Sequence, residues 1–296
     1  MELLRDKLAQ KKFVVTVEVE PPKGADPWQV YERIRPLVDY VDGVNIADCP
    51  MAKMRMSPIA LACLVQKELN LETIFHLTCR DRNVIGLQSE LLGAYALGVR
   101  NILTLTGDKP VQGDHPQATG IFEVDSLGLA QLAYNLNQGR DLMGNSLDRP
   151  TDFFIGGVAN PTAEDLGKEI AKIEKKVASG VKFFQTQPIF DLKQLEKFLQ
   201  ALPKIDAYFI FGLMPLKSAK LANYLNNNVP GIHVPEKLID RLQVKGREAG
   251  FEIAQELFTE MKKMVHGVHI FPMGDIDLVT ALLKEKEFNG RSSNIS

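Results

Sequence analysis

The chain has 296 residues, of which 45% are hydrophobic and 24% are charged, the composition of a globular protein with a substantial core. Its formal net charge of −2 argues against nucleic acid or an anionic membrane as a partner, and no apolar stretch approaches the length that spans a bilayer. Three cysteines (Cys49, Cys63 and Cys79) form no even framework, which is typical of a reducing compartment and predicts a cytoplasmic protein. No histidine or cysteine spacing predicts a metal site.

Predicted strands and helices alternate along the chain. The first strand covers residues 13–20, where valine alternates with Thr16, Glu18 and Glu20 before two prolines end the strand. The other predicted strands span residues 41–48, 72–79, 100–106, 152–158, 181–187, 207–213 and 268–271. Predicted helices begin near residues 26, 57, 83, 125, 163, 191, 218 and 276, and further helical sequence spans 235–264. The predicted N-caps include Asp26, Ser57, Thr162 and Asp191.

Eight strand–helix repeats without a shift in composition predict parallel strands joined by helical crossovers. At this length they favour a closed (β/α)8 TIM barrel, with extra helices between strands 7 and 8, formed by residues 1–296 as a single domain. An open doubly wound sheet is the alternative. The G-x-G-x-x-G phosphate-binding fingerprint is missing after the first strand, which makes that alternative less favoured.

Polar residues gather where the predicted strands end. In a TIM barrel the active site lies at the carboxyl ends of the strands, so these residues are its candidates. Strand ends also meet water in a barrel without a site, so the clustering favours a functional site without defining its chemistry. The candidates are Glu18, Glu20, Asn45, Asp48, His76, Thr78, Thr106, Gly107, Asp108, Asn160, Gln185 and Gln187.

Four of these residues each have a structural interpretation beside the functional one. His76 in an apolar strand is compatible with a hydrogen-bonded core histidine, and Asp108 after a glycine is compatible with a turn residue. Gln187 either braces a loop or reads a heterocycle through its paired donor and acceptor. Glu18, if buried, is either paired or held with a raised pKa for proton transfer.

Six short segments together resemble one known family, through their order and their attachment to successive strands. They are Val17-Glu18-Val19-Glu20-Pro21-Pro22, His76-Leu77-Thr78-Cys79, Leu105-Thr106-Gly107-Asp108, Lys175-Lys176-Val177, Gln185-Thr186-Gln187 with Phe190-Asp191, and Gly212-Leu213-Met214-Pro215. Each segment is weak alone. Jointly, they make the chain resemble the flavin-dependent methylenetetrahydrofolate reductases over nearly its whole length.

That family consists of FAD-binding barrels that reduce the one-carbon bridge of methylenetetrahydrofolate to a methyl group, a step of one-carbon metabolism and methionine biosynthesis. The resemblance implies that Glu18 is the general acid, with a raised pKa, that protonates the folate nitrogen as the bridge opens to an iminium. It implies that Asp108 is a second catalytic residue that stabilises the iminium and tunes the flavin. Gln187 and Glu20 would contact the substrate. The implied cofactor-binding residues are His76, Thr78, Thr106, Gly107, Asp108, Asn160 and Lys176, with Lys176 meeting a phosphate.

Five positions depart from the family pattern. Glu20 replaces a large aromatic residue, and a second carboxylate beside Glu18 would raise the pKa of the latter. Ala47, Thr106 and Lys175 replace a threonine and two arginines, which leaves FMN as an alternative to FAD. Ala219 falls near a phenylalanine that helps to sandwich nicotinamide or folate in family members. Whether NADH or NADPH reduces the flavin directly is therefore an open question. The hypothesis is that a partner subunit delivers the electrons.

The resemblance favours an oxidoreductase that interconverts 5,10-methylenetetrahydrofolate and 5-methyltetrahydrofolate, and it implies a homo-oligomer. A pterin-binding barrel that transfers a methyl group is an alternative that needs no flavin. A third possibility is a non-catalytic subunit that assembles with a redox partner. The presence of Glu18, Asp108 and Gln187 argues against this third function.

Overall fold

The computed structural model describes residues 2–229 and 231–291. Eight parallel strands close into one barrel in chain order, and β1 pairs with β8 to complete it. The strands are β1 (Val14–Val19), β2 (Gly43–Ile46), β3 (Thr73–Thr78), β4 (Asn101–Leu105), β5 (Phe154–Ala159), β6 (Phe183–Pro188), β7 (Tyr208–Leu213) and β8 (Gly267–Ile270). The predicted (β/α)8 barrel is confirmed, and the open sheet is excluded.

Helices on the outer face of the barrel follow the strands. They are α2 (Trp28–Ile34), α3 (Pro58–Leu69), α4 (Val84–Ala96), α5 (Ser126–Asn137), α6 (Leu166–Ala178), α7 (Leu192–Ala201), α8 (Ala219–Asn228), α9 (Glu236–Lys245), α10 (Arg247–Met261) and α11 (Ile276–Arg291), with α1 (Leu4–Ala9) preceding β1. The predicted extra helices between β7 and β8 are confirmed as α9 and α10. Gly246, with φ +53°, separates these two helices.

Two of the four predicted N-caps are confirmed. The prediction for Asp26 is wrong, because α2 begins at Trp28 with Pro27 at the N-cap position, although Asp26 Oδ1 accepts from Trp28 N–H at 3.0 Å. The Ser57 side chain accepts a hydrogen bond from Ala60 N–H, and Asp191 accepts one from Lys193 N–H. The prediction for Thr162 is wrong, because α6 begins three residues later and Asp165 caps it by accepting from Lys168 N–H at 3.0 Å. The Thr162 hydroxyl instead donates to Asn160 Oδ1 at 2.8 Å. Both residue types cap helices well, so the sequence alone did not distinguish them.

An apolar cluster closes the barrel interior at the amino ends of the strands. Helix α1 inserts Leu4 and Leu8, which are 0% and 1% exposed, beneath the side chains of the strands. The other members are Val14, Ile74, Leu103, Phe154, Phe183 and Ile210. We call this set the lower cluster; apolar packing of this kind is the usual filling of a TIM barrel.

A buried carboxylate anchors α1 to the lower end of the barrel. Glu72 accepts hydrogen bonds from the Leu4 backbone N–H and from Asn101 Nδ2. Burial raises the pKa of Glu72 despite these two hydrogen bonds. The polar groups Glu72 and Asn101 at the lower end therefore hold α1 against the barrel.

Candidate functional site

A cavity of about 900 Å³ opens at the carboxyl ends of the strands, within the size range of small-molecule sites. It gathers nine of the ten residues that the sequence nominated for catalysis, substrate binding or cofactor binding. These nine lining residues are Glu18, His76, Thr78, Thr106, Gly107, Asp108, Asn160, Lys176 and Gln187. The strand-end rule therefore located the cavity, and the roles of the nine residues stay predictions.

Glu20 is the nominated residue that the fold does not bring to the cavity lining. Strand β1 ends at Val19, so the alternation of side chains no longer governs residue 20. The Glu20 side chain is 49% exposed, and its Oε2 lies 3.4 Å from Arg55 Nη2. The geometry gives no support to a contact between Glu20 and substrate.

Five buried side chains form a continuous hydrogen-bonded row across the floor of the cavity. Asn45 and Gln185 exchange two amide hydrogen bonds, of 2.6 and 3.0 Å. Asn45 Nδ2 also contacts His76 Nε2 at 3.0 Å, and Gln185 Nε2 contacts Thr16 Oγ1 at 3.3 Å. Thr16 Oγ1 in turn lies 2.9 Å from His269 Nδ1. We call His76, Asn45, Gln185, Thr16 and His269 the floor row; it links strands β3, β2, β6, β1 and β8.

Glu18 stands above one end of the floor row. Its Oε2 lies 3.9 Å from His269 Nε2, and 28% of its side chain is exposed to the cavity. Burial opposes its ionisation, but attraction to His269 and, more weakly, to His76 outweighs burial and lowers the pKa of Glu18. The expectation of a raised pKa is wrong, because the groups that face Glu18 are imidazoles and not the carboxylate of Glu20.

His76 combines the two interpretations that the sequence left open. It is 6% exposed and hydrogen-bonded within the core, yet it also lines the cavity. Burial lowers the pKa of His76 to about 4, although Glu18 and Asp48 act in the opposite direction. The imidazole is therefore neutral at physiological pH, and its Nε2 is free of a proton to accept from Asn45.

The ends of β3 and β4 meet closely beside the cavity. Asp48 accepts hydrogen bonds from the backbone N–H and the hydroxyl of Thr78, each at 2.9 Å, and from Arg82 at 3.0 Å. Gly107 has φ +91°, and a Cβ there would lie 2.9 Å from Thr78 Cβ. Glycine is needed at this position for both reasons, which explains the Thr106-Gly107-Asp108 segment.

The loop after β2 is strained and is tied to Asp108. Cys49, Met51 and Ala52 all have positive φ, at 46°, 54° and 54°. Asp108 Oδ2 accepts from Met51 N–H at 3.0 Å, so the carboxylate that lines the cavity also holds this loop. Strained backbone of non-glycine residues is concentrated at functional sites in proteins.

Three lysines of α6 line the wall of the cavity beside β5. Lys172, Lys175 and Lys176 all face it, and Lys176 Nζ donates to Val158 O at 2.6 Å. Burial lowers the pKa of Lys176, with the charge of Lys172 adding to this effect and Glu169 opposing it. Ser126, the first residue of α5, also lines the cavity. Ammonium and hydroxyl groups in this number suit an anionic ligand such as a phosphate.

A loop after α8 packs against the two amides on the other side of the cavity. Gly231 has φ +81°, and a Cβ there would lie 2.5 Å from both Asn160 Nδ2 and Gln187 Oε1. The Thr162 hydroxyl also contacts the Gly231 carbonyl, and Asn160 N–H donates to Glu169 Oε1 at 2.8 Å. Gly231 therefore sets how closely this loop covers Asn160 and Gln187.

An extra residue in β6 shapes the end of that strand. Gln185 pairs with Ile210, and Pro188 pairs with Gly212. Two residues of β6 therefore lie between these pairs, opposite one residue of β7. The Thr186 hydroxyl accepts from Gly212 N–H at 3.0 Å, and a Cβ on Gly212 would lie 2.6 Å from the Gln187 backbone. A bulge of this kind re-aims side chains next to a site.

Sequence reasoning missed His269 as a site residue. In the sequence this histidine stands three residues from His266 on a predicted strand, a spacing that puts the two side chains on opposite faces and predicts no metal site. Its partners Thr16 and Glu18 lie on β1, and the pairing of β8 with β1 brings them together. The available signal was a single polar residue inside the short apolar strand 267–270.

Two features do not occur within the described ranges, residues 2–229 and 231–291. No helix there combines the length and apolar character that crossing a bilayer requires. No group of three or more His, Cys, Asp or Glu side chains there is arranged to hold a metal ion.

Solved structures with the same fold include two that cover nearly the whole chain. A Clostridium thermocellum protein that binds two copies of 5-methyl-5,6,7,8-tetrahydrofolic acid superposes with a TM-score of 0.62 at 18% identity, over 97% of this chain and 99% of that one. A 2,3-dimethylmalate lyase superposes with a TM-score of 0.52 at 11% identity, over 99% of this chain and 87% of that one. At these identities the similarity shows the fold alone.

Sequence relatives are more specific. The methylenetetrahydrofolate reductase (NADH) 1 of Arabidopsis thaliana is 25% identical over 234 residues, which are 75% of this chain and 39% of the plant protein. The 5,10-methylenetetrahydrofolate reductase of Pectobacterium carotovorum is 24% identical over 249 residues, or 77% of this chain and 75% of the bacterial protein. The chain thus spans about two fifths of the plant relative. The family model of methylenetetrahydrofolate reductase matches residues 3–287. The chain therefore belongs to the methylenetetrahydrofolate reductase family.

Proposed function

We propose that the protein is a flavin-dependent oxidoreductase that interconverts 5,10-methylenetetrahydrofolate and 5-methyltetrahydrofolate, with Glu18 as the group that exchanges the proton. The observation that carries this proposal is the position of Glu18 in a cavity of about 900 Å³, 3.9 Å from the buried His269. Membership of the family supports the substrate and the reaction. The folate ligand of the structurally similar Clostridium thermocellum protein supports the substrate class.

The donor set of the cavity fits a flavin nucleotide, and FAD is favoured over FMN. Lys172, Lys175 and Lys176 offer three ammonium groups to phosphate, and Ser126 adds a hydroxyl. His76, Thr78, Thr106, Gly107, Asp108 and Asn160 would surround the remainder of the cofactor. A flavin held by these residues would supply the hydride that converts the one-carbon group to a methyl group.

Glu18 would act in both directions of the reaction. In reduction, its carboxyl proton passes to the folate nitrogen while the bridge C–N bond breaks and its electron pair stays on that nitrogen. In oxidation, the carboxylate takes the proton back as that bond re-forms. The lowered pKa of Glu18 favours its carboxylate form. A ligand that covers the 28% exposed part of the side chain increases desolvation and so moves the pKa upward.

Asp108 and Gln187 would position and stabilise the folate. A carboxylate near the one-carbon group stabilises the iminium cation that forms when the bridge opens, so Asp108 is suited to this role. Gln187 carries one carbonyl acceptor and two N–H donors, which match the alternating edge of a pterin. Both residues line the same cavity as Glu18.

The electron source of the cofactor would be a partner protein. Ala219, which lies near the phenylalanine position of the family, begins α8 and does not line the cavity. Among the described lining residues, Phe271 is the one Phe, Tyr or Trp side chain, so a stacked nicotinamide has little aromatic surface. NADH added to the isolated protein is expected to bleach its flavin much more slowly than turnover. Bleaching at the rate of turnover would overturn this assignment.

Two measurements test the reaction itself. The purified protein is expected to absorb visible light as a flavoprotein and to oxidise 5-methyltetrahydrofolate when an artificial electron acceptor is supplied. A colourless protein that binds 5-methyltetrahydrofolate tightly would instead support the methyltransferase alternative. A flavoprotein that neither binds nor oxidises the folate would contradict the proposed substrate.

A further inference from the structure

With the two side-chain amides oriented as in the structure, hydrogen counting gives the floor row one direction. The two side-chain amides, Asn45 and Gln185, own four N–H groups between them. Those of Asn45 point to His76 Nε2 and to Gln185 Oε1, at 3.0 and 2.6 Å. Those of Gln185 point to Asn45 Oδ1 and to Thr16 Oγ1, at 3.0 and 3.3 Å. All four donors are therefore used inside the row.

This count determines which nitrogen carries the proton in each histidine. His76 Nε2 accepts from Asn45, so the neutral ring of His76 has its proton on Nδ1. Thr16 Oγ1 accepts from Gln185, which leaves the hydroxyl proton of Thr16 to donate to His269 Nδ1 at 2.9 Å. The proton of a neutral His269 therefore lies on Nε2, the atom 3.9 Å from Glu18. The two ends of the row hold opposite tautomers.

We propose that His269 is the positioning residue of the proton-transfer step, held by Thr16, Gln185 and Asn45 as the tautomer whose Nε2–H faces Glu18. This inference rests on the proposed function and extends it to residues that do not exchange the proton themselves. The row is nearly sealed from water, since Thr16 and Asn45 are 0% exposed, Gln185 3% and His269 2%. A buried network in which every donor is used keeps one arrangement, because reversal of the row would require both amides to turn together.

The orientation of His269 controls the charge state of Glu18. An N–H that faces a carboxylate favours its ionised form, whereas the lone pair of the other tautomer disfavours it. The charged or titratable groups that act on Glu18 are His269 on β8 and His76 on β3, and Asp48 acts on His76. Loss of the Thr16 hydroxyl would free His269 to take the other tautomer and so would raise the pKa of Glu18.

The tautomers can be measured without any turnover. Protein with its cofactor bound, labelled with 15N in its five histidines, is examined by long-range proton–nitrogen NMR, and His76→Asn and His269→Asn variants assign the signals. We expect the His269 signal to show Nε2–H and the His76 signal to show Nδ1–H. Thr16→Val, which keeps the shape but lacks the hydroxyl, should lose the His269 pattern, and Thr16→Ser should restore it. A wild-type His269 that carries its proton on Nδ1 overturns the proposal, as does an unaltered pattern in Thr16→Val.

Kinetics supply the second arm of the test. Reduction requires protonated Glu18, so its rate falls as pH rises through the pKa of that group. In Thr16→Val this alkaline limb should move upward by about one pH unit, because the ionised carboxylate loses the Nε2–H that faces it. Thr16→Ser should return the limb towards its wild-type position, and an unshifted limb in Thr16→Val would overturn the positioning role. If Thr16→Val does not fold, the NMR measurement of the wild-type tautomers alone tests the positioning role of His269. An absence of folate turnover in the wild-type protein would contradict the proposed function and would leave the tautomer assignment untouched.

Discussion

The two ends of the barrel interior are built by the same eight strands and have opposite chemistry. The lower cluster is apolar, and α1 seals it with Leu4 and Leu8. At the upper end the inward-facing side chains are the amides and imidazoles of the floor row, open on one side to the cavity. One end is thus packed as an apolar core and the other presents polar groups to the cavity proposed as the active site, although no more than a few residues along each strand separate them.

The polar end avoids instability by satisfying its own hydrogen-bonding groups. An unpaired polar group buried in a core costs about 1–3 kcal/mol. Among the described residues, Gln194 Oε1 is the one buried side-chain nitrogen or oxygen atom without a hydrogen-bond partner, and it lies on α7, outside the cavity lining. A buried polar layer can therefore replace an apolar one when each of its hydrogen-bond donors has an acceptor within the layer.

The largest effect should come from Glu18→Gln, which tests whether the upper end carries the chemistry. The amide keeps the size of the side chain but cannot exchange a proton, so folate turnover should fall about 10²–10⁴-fold while flavin stays bound. Glu20→Gln is the matched comparison, because the same change is made at a side chain that is 49% exposed. There the turnover should stay within about twofold. Full turnover in Glu18→Gln would refute the proton-exchange role.

Leu8→Ala tests whether the lower end carries the stability. Removing a side chain that is 1% exposed leaves a cavity under the barrel, so the free energy of unfolding should fall by about 2–5 kcal/mol in urea titrations. The kcat of the folded fraction should stay at the wild-type value. Leu64→Ala makes the same change at a residue that is 37% exposed and should cost much less. A large loss of kcat in Leu8→Ala would mean that the two ends are coupled.

His76 at the upper end and Glu72 at the lower end should respond to pH in opposite directions. His76 has a pKa of about 4 in the folded protein, against 6.5 for an ordinary histidine, so stability is present above pH 6.5 and is lost as pH falls towards 4. The maximum contribution is about 3 kcal/mol. His266, whose pKa burial also lowers, adds to this slope, whereas the raised pKa of Glu72 makes stability fall as pH rises. His76→Asn should flatten the slope of unfolding free energy between pH 6.5 and 4, and an unchanged slope would contradict the assignment.

The smallest effect should come from Gly231→Ala, which tests whether the loop after α8 affects folate binding at the upper end. A side chain at φ +81° costs about 1–2 kcal/mol and would press on Asn160 and Gln187. We expect the KM for folate to rise by up to about tenfold, with flavin retained. Gly144→Ala is the control, since it has φ +88° and nothing within 4 Å of its Cβ. An equal rise in KM in the two variants would show that backbone strain alone causes the rise.

The fold was predictable because each repeat carries its own signals. Alternating strands and helices are local patterns, and in a barrel the strand-end rule converts them into the location of a site, so Glu18, Asp108 and Gln187 were found together. Predictions failed where the position or the pKa of a side chain depends on residues that are distant in sequence or on where an element ends. Glu20 lies one residue past the end of β1, where alternation stops, and the pKa of Glu18 depends on His269. Thr162 lost the cap of α6 to Asp165, an equally good candidate three residues away.

The contact between Thr16 and His269 joins residues 253 positions apart in the chain. Strand β1 is the first strand of the barrel to leave the ribosome and β8 is the last, so the nascent protein holds Glu18 for most of its synthesis without the histidine that faces it. Closing so long a loop is entropically costly and slow compared with the local strand–helix steps. The contact between Glu18 and His269, the proposed proton-exchange site, therefore forms in the same event that closes the barrel. A chain stalled before β8 would carry the Glu18 carboxylate without the histidine that faces it.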